Sequence, residues 1–281
     1  VSFEHVTFHY PSRPDSAALR DFSLNIAPGE AHLFRDGVTT RLAFKGAILA
    51  TGAMDRTLPV PGWTLPGVFT LGGAQIALKA QGAAIGSRVA FMGSGPLLYL
   101  VAWQYLKAGV RVAGVLDTAP LSAKLALLRA LPKAPDVVMR GLGYVLGLKR
   151  AGVPLHFGVK SPRFLGDSRV TGIEWQQGGR TNRLDADGIG YGFGLKPEAQ
   201  LADLMGCTFV FSERDRAHIP LRDPAGRTDV TGLYIAGDAA RIKGADAAEI
   251  AGERAALALI EDRGLPVDRN RTRDLEMALE E

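Results

Sequence analysis

A glycine-rich turn between an apolar run and a helical run is the part of this sequence best suited to bind a phosphate. Residues 89–92 (Val-Ala-Phe-Met) predict a buried strand, residues 93–95 (Gly-Ser-Gly) a tight turn, and residues 97–106 a helix. Backbone N–H groups at the start of a helix attract negative charge, and glycine lets a ligand approach them closely. The spacing therefore predicts a pyrophosphate site at this turn.

The turn follows part of the G-x-G-x-x-G dinucleotide fingerprint. Gly93 and Gly95 supply its first two glycines and Pro96 follows them, whereas Leu98 replaces the third glycine, which normally lets helix and strand pack closely. Asp117 ends the next predicted strand, where an acid can hydrogen-bond a ribose 2′-hydroxyl. The pattern predicts a nucleotide-binding β-α-β unit. The alternative is a unit of the same fold whose pocket has decayed or serves another ligand.

A second set of candidate contacts follows two other predicted strands. Asp238 comes after Gly237 at the end of an apolar strand and can accept a hydrogen bond from a ribityl hydroxyl. A helix that starts near Ala245 can stabilise negative charge on a reduced flavin. Thr51 and Gly52 follow a strand whose small residues let a dinucleotide lie against its edge. These residues predict a flavin-binding lobe, and an ordinary strand–turn with an aspartate cap is the alternative for Asp238.

Other reactive residue types give weaker indications. Arg56, in a proline-rich loop before Trp63, is a candidate cofactor contact, and a solvated loop arginine is the alternative. None of the 5 histidines has a carboxylate or cysteine spaced for a metal site or a catalytic triad, so we assign no catalytic residue and expect no metal. The single cysteine, Cys207, excludes an internal disulfide and a C-x-x-C redox pair, and we expect it to be a small buried hydrophobe.

Composition narrows the class of protein. A chain of 281 residues with 47% hydrophobic and 22% charged residues is long enough for roughly two domains. The apolar stretches are interrupted well before about 18 residues and no signal-peptide pattern opens the sequence, so we expect a cytoplasmic protein without a membrane span. The net charge of +4 is scattered among acids, which argues against nucleic-acid binding.

The first thirty residues predict a separate element. Residues 1–10 and 19–26 alternate apolar and polar positions as two half-buried strands, joined by a turn at residues 11–16. This segment resembles the opening of an ABC-transporter ATP-binding domain, in which the aromatic corresponding to Tyr10 stacks on adenine. The chain contains no G-x-x-x-x-G-K-[ST] phosphate loop, so we expect no ATP hydrolysis from it.

The remaining elements follow from hydrophobic periodicity and glycine or proline breaks. Strands are predicted at residues 41–44, 47–50, 88–92, 110–116, 155–159, 169–176, 183–186 and 233–236, and helices at 73–81, 97–108, 121–148 and 245–262. Gly178 and Gly179 predict a hairpin turn. The charged residues 268–281 predict a solvated helix or a frayed end. The alternation of strands and helices predicts an α/β fold.

Four segments together resemble one family. Residues 50–68, 93–98, 115–120 and 234–238 are similar to the FAD/NAD(P)-binding oxidoreductases of the pyridine nucleotide-disulfide type. Within that family they resemble the alpha subunits of opine oxidase, hydrogen cyanide synthase and heterotetrameric sarcosine oxidase. The resemblance covers residues 37–265. It implies bound FAD, a second site for NAD(P) or another adenine nucleotide, and a flavoprotein beta subunit that oxidises a secondary amine or amino acid.

The resemblance also implies residue roles. It assigns FAD contacts to Thr51, Gly52, Gly237, Asp238 and Ala245, and contacts with the second nucleotide to Gly93, Gly95 and Asp117. The implied fold is α/β with two Rossmann-like doubly wound lobes, in which the FAD lobe is truncated at its N-terminus and the NAD-type lobe is inserted, behind a short N-terminal β-hairpin-like extension. The implied domains are residues 1–30 (ABC-like), 37–84 with 198–265 (partial FAD lobe), 85–197 (NAD(P)-type lobe) and 266–281 (charged tail).

The implied function is that of a FAD-dependent oxidoreductase subunit for amine, amino-acid or opine oxidation, passing electrons between FAD and a nicotinamide or another acceptor. The family's first G-x-G-x-x-G unit does not precede Thr51, which predicts weak retention of FAD. Two alternatives remain open: a truncated and chimeric remnant without catalysis, and an ABC-transporter ATP-binding fragment.

Overall fold

A computed structural model describes residues 2–9, 17–25, 30–35, 38–120, 122 and 135–280. It divides into two compact units, Val1–Gly52 with Pro197–Glu281 (the terminal unit) and Ala53–Lys196 (the inserted unit). The predicted domain boundaries stay predictions. Tyr10, the predicted turn at residues 11–16 and most of the first part of the helix predicted at 121–148 lie outside the described residues.

The described secondary structure alternates strands and helices, as expected for the predicted α/β class. The strands are β1 (Ser2–His9), β2 (Ala17–Asn25), β3 (Glu30–Arg35), β4 (Val38–Ala43), β5 (Ala47–Leu49), β6 (Ala53–Asp55), β7 (Val68–Thr70), β8 (Arg88–Gly93), β9 (Arg111–Asp117), β10 (Leu155–Phe157), β11 (Lys160–Leu165), β12 (Gly172–Gln177), β13 (Arg180–Asp185), β14 (Gly188–Gly192), β15 (Leu195–Pro197), β16 (Phe209–Ser212), β17 (Ala217–Pro220) and β18 (Leu233–Ile235). The helices are α1 (Leu71–Gln81), α2 (Pro96–Lys107), α3 (Pro135–Arg150), α4 (Gln200–Leu204), α5 (Ala245–Asp262) and α6 (Arg269–Glu280).

The inserted unit is built on a five-stranded parallel sheet in the order β10-β9-β8-β14-β7. From β8 the chain passes through α2 to β9 on one side, whereas β14 and β7 lie on the other side of β8. The strand order therefore reverses between β8 and β14. In open α/β sheets, ligands bind at the carboxyl ends of the strands at such a reversal.

Both faces of the parallel sheet are covered, which explains the uninterrupted apolar run in β8. Val89 and Phe91 belong to a core formed with α1, α2 and α3. Ala90 and Met92 belong to a second core formed with the antiparallel sheet β11-β12-β13. All four side chains are fully buried. Alternate residues of one strand thus hold the helices on one face and the small antiparallel sheet on the other.

The terminal unit contains paired strands and two long helices. The strands pair as β1 with β2, β3 with β4 and β16 with β17, all antiparallel, and β5 with β18 in parallel. The β1–β2 pair confirms the predicted N-terminal hairpin-like extension. Residues 268–281 were predicted to form a solvated helix or a frayed end, and residues 269–280 do form the mostly exposed helix α6, although one side of it is packed. Leu275 and Thr272 of α6 are buried, and Glu276 accepts a hydrogen bond at 2.7 Å from the buried Arg254 of α5.

The structure also adds strands that periodicity did not predict, namely β3, β6, β7, β11, β14, β15, β16 and β17. Of these, β14 lies in the parallel sheet of the inserted unit, between β8 and β7. No helix among the described residues is long and apolar enough to cross a membrane.

Candidate functional site

The first candidate site is the turn between β8 and α2 in the inserted unit. Gly95 is the N-cap of α2 with φ of 92°, Pro96 is the first helical residue, and no side chain caps the helix. The first-turn N–H groups of a helix have no partner within the helix. A Cβ atom built on Gly95 would meet no atom within 4 Å. The turn therefore presents an uncapped helix start beside open space, and the first turn of α2 contains no acidic residue.

Gly93 has a different role from Gly95. A Cβ atom on Gly93 would lie 1.7 Å from the carbonyl oxygen of Gly192 in β14, closer than any real contact. The Ser94 N–H donates to the same oxygen at 3.0 Å. Gly93 is thus required for the close approach of β8 and β14 at the strand-order reversal, whereas Gly95 borders open space.

Asp117 lies at the end of β9, directly opposite Gly93 in the register. Its side chain is fully buried. One carboxylate oxygen accepts from the Tyr99 hydroxyl at 2.5 Å and the other accepts from the Ala119 N–H at 2.7 Å. Burial raises the pKa of Tyr99, and the hydrogen bond to Asp117 raises it further, so the phenol stays protonated. Gly93 and Asp117 are therefore neighbours, and each carboxylate oxygen of Asp117 already accepts a hydrogen bond from the protein; the predicted contact of Asp117 with a nucleotide stays a prediction.

The second candidate site lies in the terminal unit, at the carboxyl ends of β5 and β18. These strands pair in parallel, and the Ala236 N–H donates to the Leu49 carbonyl at 2.9 Å. The predicted contacts at residues 51–52 and 237–238 therefore lie at one edge of this sheet. The Thr51 hydroxyl donates to the carbonyl of Glu198.

Asp238 fixes the loop that leads to α5. One of its carboxylate oxygens accepts the N–H groups of Lys243 at 2.9 Å and Gly244 at 3.0 Å. Gly244 is the N-cap of α5, again without a side-chain cap, and Ala245 is the first helical residue. Asp238 thus sets the position of an uncapped helix start. Asp238 and Ala245, which the sequence assigned to one FAD site, are therefore close to each other in the structure.

A cavity of about 270 Å³ opens beside Gly237 and Asp238. Four basic side chains are among those that line it, namely Arg214, Arg222, Arg241 and Lys243. Burial, followed by the nearby charge of Arg241, lowers the pKa of Arg222. Arg241 also donates to Asp215 at 3.2 Å. Like charges gathered at one cavity favour an anionic ligand.

Sequence reasoning missed these basic residues. Arg241 and Lys243 follow Asp238 within five positions, so a search of the loop before α5 could have found them.

Arg56 lies in the inserted unit, where its backbone N–H and carbonyl form hydrogen bonds of 2.9 Å with residues 194 and 193. Its predicted cofactor contact stays a prediction. Among the described residues, no group of three or more His, Cys, Asp or Glu is placed to hold a metal ion.

Comparison with known families agrees with this geometry. The profile of the pyridine nucleotide-disulphide oxidoreductase family matches residues 18–255. The chain belongs to this family. The membership confirms the α/β nucleotide-binding fold and supports FAD and NAD(P) as its cofactors. The match includes residues 18–30, and the comparisons give no support to an ABC ATP-binding fragment at residues 1–30.

Several curated relatives of this chain are named as enzyme subunits. An opine oxidase subunit of Agrobacterium tumefaciens is 42% identical over 217 residues, which cover 76% of this chain and 43% of the relative. Hydrogen cyanide synthase subunit HcnB of Pseudomonas aeruginosa is 35% identical over 226 residues, which cover 77% of this chain and 48% of the relative. The chain thus spans about half the length of the curated relatives it matches.

Solved structures share the fold of this family member. L-proline dehydrogenase from P. horikoshii superposes with a TM-score of 0.61 at 21% identity, covering 89% of this chain and 41% of that one. Thioredoxin reductase from T. acidophilum superposes with a TM-score of 0.56 at 21% identity, covering 79% of this chain and 67% of that one.

Proposed function

We propose that this chain is the nucleotide-binding part of a FAD-dependent oxidoreductase subunit that takes part in the oxidation of an amine, an amino acid or an opine. The observation that carries the proposal is the β8–α2 turn. It places an uncapped helix start beside open space at Gly95, at the strand-order reversal of a parallel sheet. The relatives named opine oxidase and hydrogen cyanide synthase support the substrate class.

The inserted unit binds NAD(P) or another adenine nucleotide at this turn. The N–H groups that follow Pro96 would receive the pyrophosphate, because the helix start has neither a side-chain cap nor an acidic residue in its first turn. Gly95 allows that approach, since no atom lies where its side chain would be. Gly93 supports the site indirectly by keeping β8 against β14.

The terminal unit holds the FAD. The Asp238 carboxylate would face a ribityl hydroxyl, and the helix start at Ala245 would lie toward the flavin ring. Thr51 and Gly52 would line the opposite strand end. The cationic side chains of the cavity, Arg241 among them, match the charge of a diphosphate. When bound, flavin supplies a two-electron acceptor, which none of the protein's own side chains provides.

The substrate reaches the flavin through a partner. Several relatives are named as subunits of opine oxidase, hydrogen cyanide synthase or sarcosine oxidase, which supports the view that the partner of this chain is a flavoprotein beta subunit. A cytoplasmic location is part of the same proposal.

Calorimetric titration of the purified chain with FAD, NADH and NADPH tests the proposal. Arg241→Gln removes a cavity cation and should raise the Kd for FAD by roughly tenfold while leaving the Kd for NADH unchanged. Arg216→Gln is the matched control, because it removes an arginine whose side chain is 74% exposed and which pairs with Glu213 at the surface.

The two variants separate a specific site from general charge. Equal weakening of FAD binding by Arg241→Gln and Arg216→Gln would reject the cavity as the flavin site. A wild-type chain that binds none of the three nucleotides would reject the proposed function and favour a non-catalytic remnant.

A further inference from the structure

We propose that Asp117 is a positioning residue of the nucleotide site and does not itself bind the ribose. It anchors Tyr99 and thereby holds the first turn of α2 where a phosphate needs it. The adenosine ribose then meets no carboxylate from β9, and the inserted unit binds NADH and NADPH with similar affinity. This inference rests on the proposed function, because it concerns the nucleotide at the same turn.

The burial of Asp117 carries the first step. A carboxylate that selects NADH must present an oxygen to the ribose 2′-hydroxyl within hydrogen-bond distance. The Asp117 side chain is 0% exposed, and its two oxygens already accept hydrogen bonds at 2.5 Å from Tyr99 and at 2.7 Å from Ala119. Each oxygen could accept a second hydrogen bond, but the side chain has no exposed surface, so a ribose hydroxyl could reach it only if the groups that bury it moved.

The position of Tyr99 carries the second step. Tyr99 is the fourth residue of α2, so its bond to Asp117 ties the first turn of the helix to the end of β9. Thr118, which follows Asp117, holds the strand side of the turn. Its N–H and its hydroxyl both donate to the Gly93 carbonyl, at 2.8 and 3.1 Å. The end of β9 therefore holds the turn at its strand side and at its helix side.

The burial of the Asp117 carboxylate determines the expected preference between NADH and NADPH. An accessible carboxylate favours NADH in two ways, because it accepts a hydrogen bond from the 2′-hydroxyl and repels the 2′-phosphate of NADPH. Neither effect acts at full strength through a carboxylate that is buried and bound to two donors. We therefore expect the Kd values for NADH and NADPH to lie within about tenfold of each other, a difference of about 1.4 kcal/mol or less.

Three variants test the assignment. Asp117→Asn removes the charge but can keep both contacts, because an amide oxygen can accept from Ala119 and an amide N–H can donate to the Tyr99 hydroxyl. Tyr99→Phe removes the hydroxyl that donates to the buried carboxylate. Tyr105→Phe is the matched control on the same helix, since its hydroxyl also makes a buried hydrogen bond, to the Ala74 carbonyl at 2.8 Å, away from the glycine turn.

Titration with NADH and NADPH, together with thermal unfolding, gives the decisive comparison. Tyr99→Phe should raise both Kd values by the same factor, roughly tenfold, whereas Asp117→Asn should change each by less than about threefold. Tyr105→Phe should lower the Tm and leave both Kd values unchanged. For the pair itself, the Tyr99→Phe/Asp117→Ala double variant should lose less Tm than the Tyr99→Phe and Asp117→Ala losses added together, because either single change already breaks the hydrogen bond between them.

Two results would overturn the inference. One is a loss of NADH affinity of tenfold or more in Asp117→Asn with NADPH binding unchanged or tighter, which is the signature of a ribose ligand. The other is additive Tm losses for the two residues. Failure of the wild type to bind either nucleotide would instead reject the proposed function and the NADH/NADPH prediction with it, while the Tm comparison would still decide whether Tyr99 and Asp117 form a pair.

Discussion

Replacing single glycines around α2 should separate folding from nucleotide binding. Gly95→Ala adds a methyl group beside the uncapped helix start, where no atom lies within 4 Å. Gly109→Ala is its matched control at the other end of the helix, because Gly109 also has a positive φ of 80° and open space around its missing side chain. Gly93→Ala would place a methyl group 1.7 Å from the Gly192 carbonyl oxygen.

The structure sets the expected magnitudes. Alanine at a positive φ costs about 1–3 kcal/mol, and Gly95, with ψ of 175°, lies in a region that essentially only glycine adopts, so Gly95→Ala should lower the free energy of unfolding at least as much as Gly109→Ala. At Gly95 the methyl group would also occupy the space through which a phosphate reaches the helix start. Loss of one charge-assisted hydrogen bond costs about 1.5–3 kcal/mol, which is roughly a 10- to 150-fold rise in the Kd for NADH. Gly93→Ala should prevent folding of the inserted unit.

Two measurements check this reasoning, namely urea unfolding for stability and calorimetric titration with NADH for binding. The expected outcome is that both variants stay folded and that binding is weakened only in Gly95→Ala. If Gly95→Ala binds NADH as tightly as wild type, the turn has an architectural role only. If Gly109→Ala loses binding to the same extent, the effect comes from strain in α2 and the phosphate site is refuted.

Two further predictions concern the terminal unit. Hydrogen bonds from Arg227 at 2.8 and 3.1 Å, followed by one from Tyr234, hold the pKa of Asp262 below its ordinary value. Its contribution to stability is therefore present above about pH 4 and is lost as the pH falls through the lowered pKa, so Asp262→Asn should show a smaller fall in Tm between about pH 5 and pH 3 than wild type. An equally steep fall in the variant would contradict this. Burial raises the pKa of the Cys207 thiol, so a thiol reagent at about pH 8 should label it only after unfolding, and rapid labelling of the native protein would contradict the buried assignment.

The β-α-β unit of the inserted unit could be predicted from the sequence because its signals are local. The apolar run of β8, the glycines of the turn and the helical run of α2 follow one another within about twenty residues, and each has its own physical cause. Pro96 at the first helical position and Gly109 just beyond the last turn mark the two ends of α2. The predicted helix at 97–108 was correct to within one residue at each end.

The strand β14 could not be predicted, because its residue types are not typical of a strand in a parallel sheet. Three of its five residues are glycines, which are rare in strands. A side chain at Gly190 would lie 2.8 Å from the ring of Phe91, about a hundred residues earlier in the chain. The missing side chains of these glycines leave room for close contacts with β8, with residues 85–86 and with Leu71 of α1, which only the folded chain reveals. The basic cavity was missed for the same reason, since its residues come from four separate segments between Arg214 and Leu279.

The same distinction explains why Asp117 was located correctly while its contacts were missed. Its position at the end of β9 follows from periodicity, but its bond to Tyr99 spans 18 residues and depends on how α2 packs on the sheet. A sequence motif shows where a residue lies on a strand or helix. It does not show which groups its polar atoms form hydrogen bonds with.

The two candidate sites use the same backbone feature with different electrostatics. Gly95 and Gly244 are both N-caps with positive φ and without side-chain caps, and each lies on the connection that leads from a parallel strand to a helix. The first turn of α2 has no acidic residue, so its N–H groups alone can balance a phosphate. The first turn of α5 contains Asp246, which opposes an anion, and the nearby cavity supplies Arg222, Arg241 and other cations. Because Asp246 offsets part of the positive field at the start of α5, the proposed FAD site depends more on the cations of the cavity than the proposed nucleotide site at α2 depends on any side-chain charge.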